Sequence, residues 1–183
     1  ELKLEGVGGN VDLVWRPAGE ANPGPSSVFE VTGETIAHLE RDKITSLANL
    51  FIKVLGQPCN EVELRAPAGA KVNPDSMPGG VLTVEKDQRI KVHFSEKASE
   101  HRVRLEWEQA IANRSADNWV ELGGLEVVGA VKHRGYIAVW GPGDWHLLWR
   151  GSPSVRQTEQ LPPGLSGEGL LAGFEYSSQP YSL

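Results

Sequence analysis

The sequence predicts a mainly β protein, an antiparallel β-sandwich with at most one or two short helices, and three observations carry that prediction. Arg102 to Glu108 reads Arg-Val-Arg-Leu-Glu-Trp-Glu, with apolar and charged residues alternating without exception. Successive side chains leave a strand on opposite sides, so Val103, Leu105 and Trp107 should face a core while Arg102, Arg104, Glu106 and Glu108 face water. Similar alternation recurs along the chain. Clusters of turn-forming residues separate the short apolar stretches, as sandwiches and barrels require.

Taken in order, Leu2-Lys3-Leu4 alternates at once, Gly6-Val7-Gly8-Gly9 reads as a bend, and Val11, Leu13 and Trp15 alternate before Pro17. Asn22 to Ser27 is a loop. Between Ile44 and Leu55 two templates match: Ile44, Leu47, Ala48, Phe51 and Leu55 share a helical face, whereas Leu50, Ile52 and Val54 fit a strand. The β-rich Phe-Ile-Lys-Val, ended by Gly56 and Pro58, favours a strand over 50–55, with a helix across 34–48 as the companion expectation. Val62 and Leu64 mark a strand, and Pro67 to Gly80 reads as one long connection. From 82 to 108 come three strands, around Leu82–Val84, Ile90–Phe94 and the Arg102 run, joined by Lys86-Asp87-Gln88-Arg89 and a polar bend at 97–100. A meander is expected there. Further strands are expected at Trp119–Leu122, Leu125–Val131, Gly135–Trp140 and Trp145–Arg150, separated by Gly123-Gly124, Lys132-His133-Arg134 and Gly141-Pro142-Gly143-Asp144. The stretch from Gly151 to Gly169 is rich in Pro, Gly and Ser, and Leu170 to Tyr176 is the last strand.

A chain of 183 residues can bury a real core, as one domain over 1–183 or as two small β domains over 1–97 and 98–183. With 18 basic and 24 acidic residues the net charge is −6, and neither half has the clustered Lys and Arg of a nucleic-acid footprint. Nucleic acid is therefore not an expected partner. No apolar stretch is long enough for a transmembrane helix, so this segment is not expected to insert in a membrane. Cys59 is the only cysteine, which excludes an intramolecular disulfide and a cysteine-based zinc site. The chain opens at Glu1 without an initiator methionine or a signal peptide, which reads as excision from a longer polypeptide.

Motifs for chemistry are sparse. His38, His93, His101, His133 and His146 have no zinc spacing and read as surface residues, so no metal and no cofactor is expected. Asp12, Asp75, Asp117 and Asp144 lie in or near loops without the pattern of a calcium loop. Gly164-Leu165-Ser166-Gly167 fails as a nucleophile elbow at Glu168 and reads as a linker. Cys59 has no His beside it in sequence and reads as a small, buried or half-buried residue. Glu106 and Glu108 share a solvated strand face rather than forming a tuned acid–base pair. Asn113-Arg114-Ser115 has the form of a glycosylation acceptor, a triplet that chance alone supplies in a chain of this size. No catalytic residue is assigned.

The tryptophans give more purchase. Trp140, Trp145 and Trp149 crowd into ten residues around a turn, with Asp144 and His146 as polar neighbours. Such rings can stack on the CH face of a pyranose, so these five residues are the candidate carbohydrate site. The competing expectation is core packing, because Trp145, Leu147 and Trp149 alternate as one strand face.

Leu122-Gly-Gly-Leu-Glu-Val-Val-Gly-Ala-Val, Arg134-Gly-Tyr-Ile-Ala-Val, Phe174-Glu-Tyr with Pro180, and Val62-Glu-Leu-Arg-Ala-Pro-Ala-Gly together resemble β-sandwich modules of very large secreted or surface-located bacterial proteins. The resemblance implies an extracytoplasmic, cell-surface setting and no transferable catalytic residue. The leading expectation is thus a non-catalytic structural or protein-interaction module, whose partners are other modules of the same polypeptide or another protein. The alternatives are a carbohydrate-binding module that takes polysaccharide and, third, a hydrolase or isomerase on a β scaffold.

Overall fold

Residues 44–55, which matched both a helix and a strand, lie in β2 (Lys43–Leu55), which with β1 (Val28–Leu39) makes the two longest strands among the described residues. In this computed structural model the structure describes residues 27–77, 79–111 and 119–183, with no description of the Lys86 side chain. The readings made at 1–26, including Gly6–Gly9, Asp12 and Trp15, and those at Asn113-Arg114-Ser115 and Asp117, lie outside the described residues. Ile44, Ser46, Ala48, Leu50, Ile52 and Val54 are buried and the residues between them are more exposed, a period of two along all of β2. The helix expected across 34–48 is therefore corrected to strand. Thr and Ile or Val at 31, 32, 35, 36, 44, 45, 52 and 54 suit the pleated surface on both strands.

The remaining strands are β3 (Cys59–Arg65), β4 (Lys71–Asn73), β5 (Gly80–Val84), β6 (Arg89–Ala98), β7 (Glu100–Ala110), β8 (Glu126–Val127), β9 (Ala130–Trp140), β10 (Val155–Gln157) and β11 (Leu170–Tyr176). Two single turns of 3-10 helix, at Pro74–Ser76 and Lys86–Gln88, are the helical content of the described residues. The strands form a seven-stranded sheet, β10-β11-β9-β1-β2-β7-β4, and a four-stranded sheet, β5-β6-β3-β8. Neither is closed into a barrel. Strands from both sides of position 97 share the larger sheet.

The sheets face each other across a core of Phe29, Leu50, Ile52, Leu105 and Trp107 from the larger and Val62, Leu64, Ile90, Val92 and Val127 from the smaller. Trp107 is fully buried, as its place in the alternating run required. The expected meander fails at its last step. β6 pairs with β5 and β3, whereas β7 pairs with β2 from Lys43↔Ala110 to Lys53↔Glu100. Only Ser99 separates β6 from β7, so the chain bends from one sheet into the other, and their apolar faces meet across the sandwich rather than side by side.

Lys132-His133-Arg134, expected as a turn, lies inside β9. β9 runs parallel to β1, the one parallel pair among the described strands, after the long excursion that such a pair needs. Residues 145–150 and 119–122 belong to no strand. The connection over 67–80 holds β4 and a 3-10 turn, and the 151–169 stretch holds β10 and the buried Leu165, so the latter is packed structure and not a linker.

Two histidines are also corrected from surface to interior, since His101 is 5% exposed and His133 is 4% exposed. His133 stands on the inner face of β9, between the sandwich core and a second core of Ala37, Ile44, Ile137, Val139, Phe174 and Tyr176. Neither ring nitrogen has a hydrogen-bond partner among the described residues, and the ring meets Tyr176 edge-on at 5.7 Å. Burial holds its pKa down at about 4. Burial likewise raises the phenols of Tyr176, beside it, and of Tyr181, which packs on Tyr176.

Candidate functional site: a tryptophan groove beside the second core

The second core is closed by segments that carry no ladder of their own. Leu122 and Leu183 exchange backbone hydrogen bonds of 2.9 and 3.2 Å, and the Ser152 N–H donates to the Ser182 carbonyl at 2.9 Å. These bonds tie Leu122 and Ser152 to the 182–183 end. Between them runs a groove of about 460 Å³. Leu39, Ile44, Val139, Leu122 and Leu147 form its floor, and Trp119, Trp145, His146, Leu148, Trp149 and Arg150 form its walls.

The local sequence explains the arrangement. The Trp145 N–H donates to the Pro142 carbonyl at 3.0 Å, closing the Gly-Pro-Gly-Asp turn, and residues 145–148 then alternate half-buried and exposed. Trp145 and Leu147 turn inward, so part of the core-packing expectation holds, while Leu148 is 80% exposed. Trp149 is 36% exposed; its ring packs edge-on against Phe174 at 5.0 Å, and its indole N–H donates to Gln157 Oε1 at 3.3 Å. Trp119 is 54% exposed, with the Arg150 guanidinium 4.2 Å from its ring centroid, a cation–π contact that fixes both side chains.

Of the five residues singled out from sequence, the groove brings together Trp145, His146 and Trp149. Trp140 stands apart. It lies on the face of β9 opposite Val139, with its ring 6.1 Å from His38 and Gly167 packed over it. Asp144 is exposed in the turn and does not line the groove. Sequence reading missed Trp119 and Arg150, whose stacking is a contact between residues 31 positions apart. It had no local signal.

Chemically, the groove offers apolar and aromatic lining with the polar side chains of His146 and Arg150. It can hold apolar side chains of a partner. Among the described residues no group of three or more His, Cys, Asp or Glu side chains is placed to hold a metal ion. Cys59 does meet a histidine in space, its Sγ lying 3.9 Å from His101 Nε2. That nitrogen, however, is 2.9 Å from the Cys59 carbonyl, which only accepts, so it carries a proton and is not placed to take one from the thiol. Glu108 is held by Lys43 at 2.7 Å, an exposed ion pair. No helix of the described residues is long and apolar enough to cross a membrane.

No protein-family model and no curated protein sequence matches the chain. Solved structures match it in fold. An M1 zinc metallopeptidase from Deinococcus radiodurans is 10% identical, with 85% of this chain and 41% of that one covered and a TM-score of 0.51. A variant of an M1 zinc metallopeptidase from the same organism, bound to a Tyr-Ser-Ala substrate, is 11% identical with the same coverage and a TM-score of 0.50. Yeast LTA4 hydrolase in complex with bestatin is 9% identical, with 91% of this chain and 31% of that one covered and a TM-score of 0.46. The chain spans about two fifths of the length of the metallopeptidase chains. The likeness is one of fold.

Proposed function

We propose that this chain is a non-catalytic interaction module of a larger exported polypeptide, which docks a neighbouring module or another protein through the tryptophan groove. One observation carries the reading: Trp119, Leu148 and Trp149 present large apolar surfaces to solvent around a preformed groove. Isolated exposed apolar residues are ordinary; a contiguous set with an apolar floor and a polar rim is what interfaces use. The likeness in fold to part of longer metallopeptidase chains favours the hydrolase alternative as the second reading and adds nothing to the docking one. A neutral sugar platform is less favoured. Arg150 already occupies a face of Trp119, and Trp149 is pinned at its edge by Phe174 and at its nitrogen by Gln157.

Acrylamide quenching of tryptophan emission tests the proposal. The isolated chain should contain a strongly quenched fraction that Trp119→Phe with Trp149→Phe removes. That fraction should become protected in the longer polypeptide and stay unchanged with neutral oligosaccharides. Protection by a neutral oligosaccharide, with none in the longer polypeptide, would replace this reading with a carbohydrate-binding module.

A further inference from the structure

A second concavity lies on the face of the larger sheet opposite the one that floors the groove. Thr32, Glu34, Asn49, Phe51, Arg102 and Arg104 line a shallow trough of about 550 Å³ across β1, β2 and β7. Their strand neighbours at 31, 33, 35, 50, 52, 103 and 105 are all buried, which sends these side chains outward. The register sets them in two rungs. In one, Arg102 stands opposite Phe51, Phe51 opposite Thr32, and Thr32 beside Arg134 of β9. In the next, Arg104 stands opposite Asn49, Asn49 opposite Glu34, and Glu34 beside Tyr136.

The composition of those rungs departs from that of the chain. The protein carries a net charge of −6, yet two guanidiniums and one carboxylate line the trough, with Arg134 on the adjoining strand one register step beyond Thr32. Arg102, Arg104 and Arg134 are exposed and form no salt bridge among the described residues, where Lys43, Arg65, Arg89, Lys91 and Arg156 each have at least one. Phe51 is 38% exposed with the Arg102 guanidinium 6.0 Å from its ring centroid. A planar fork is suited to a carboxylate or sulfate. Asn49, Thr32 and the Glu34 carboxylate are suited to hydroxyl groups, and the Phe51 ring to an apolar CH face.

We propose that this trough binds an anionic polysaccharide, a pyranose chain bearing carboxylate or sulfate groups. Guanidiniums take the anionic groups, Glu34 and Asn49 take hydroxyls, and Phe51 packs against a ring face. The open floor differs from the enclosed pocket of a small metabolite. The inference does not depend on the tryptophan groove.

The test is a titration of the full chain with polygalacturonate, dextran sulfate, neutral dextran and polyglutamate, read by calorimetry at two salt concentrations. Binding is expected for polygalacturonate or dextran sulfate, with whichever is tighter identifying carboxylate or sulfate as the group recognised, and none for neutral dextran. Arg102→Ala with Arg104→Ala should weaken it about tenfold or more and flatten its salt dependence, without lowering the melting temperature by more than a few degrees. Phe51→Ala should weaken glycan binding and leave any residual polyglutamate binding as it is. The proposal is overturned by absence of binding to both anionic glycans, by full-strength binding in the double arginine variant, or by polyglutamate binding as tightly with equal sensitivity to Phe51→Ala.

Discussion

Gly135→Ala is expected to leave little or no folded protein. A Cβ at this position of β9 would be driven into the backbone carbonyl of Gly33 on the adjoining strand β1, and it would lie 2.8 Å from the Tyr176 hydroxyl. Backbone on a central strand cannot step aside as a flexible side chain does, so the parallel pair must separate or shift. The cost should exceed about 3 kcal/mol, a large part of the stability of an ordinary domain. Gly143→Ala is the control, because nothing lies within 4 Å of its Cβ, and it should change stability by less than about 0.5 kcal/mol. Urea unfolding of the two variants decides the matter. A Gly135→Ala protein within 1 kcal/mol of the parent would contradict the close approach of β1 and β9.

The second large effect is a loss of stability in mild acid. His133 has a folded pKa of about 4, against about 6.5 for an unfolded histidine, because burial disfavours the imidazolium. Between those values the unfolded chain binds the proton and the folded protein does not, so stability rises with pH across the window. Its contribution is fully present above pH 6.5 and is lost as pH falls toward 4, a total of roughly 3 kcal/mol. Nothing in its surroundings offsets this: the ring it meets is the neutral phenol of Tyr176, and no carboxylate is among the causes of the shift. His133→Phe should remove most of this slope between pH 4 and 6.5 while keeping the protein folded at pH 7. An unchanged slope would show that another group titrates instead.

Much of the architecture was legible because strict alternation survives in the chain. β7 stands where the alternating Arg102 run placed it, with Trp107 buried as that run required, and β11 stands where the last strand was expected. Two features escaped for a common physical reason, that strand partners are chosen by contacts remote in sequence. Ile44 to Leu55 fits a helix until β1 and β7 flank it, since the same apolar residues satisfy both periods over a short window. The β6–β7 boundary looks like a hairpin until the two apolar faces are required to meet across a core.

The site was legible only in part. Clustering of Trp145 and Trp149 around a Gly-Pro-Gly-Asp turn was visible, whereas Trp140 was misplaced by a single residue of strand parity, which puts it on the opposite face from Val139. Trp119 and Arg150 meet only in three dimensions. His101 and His133 were misread because a histidine without a partner in sequence looks like a solvated one, while a sheet buries every second residue regardless of its polarity.

The measurement that bears most directly on the proposed docking groove is amide hydrogen exchange of this chain, alone and within the longer polypeptide. Residues 146–150 and 119–121 should exchange rapidly in the isolated chain and slow by at least tenfold in the longer one, with β2 and β7 unchanged as internal reference. Equal exchange at 146–150 and 119–121 in both forms, with protection appearing on another face, would contradict the assignment of the tryptophan groove as the docking surface.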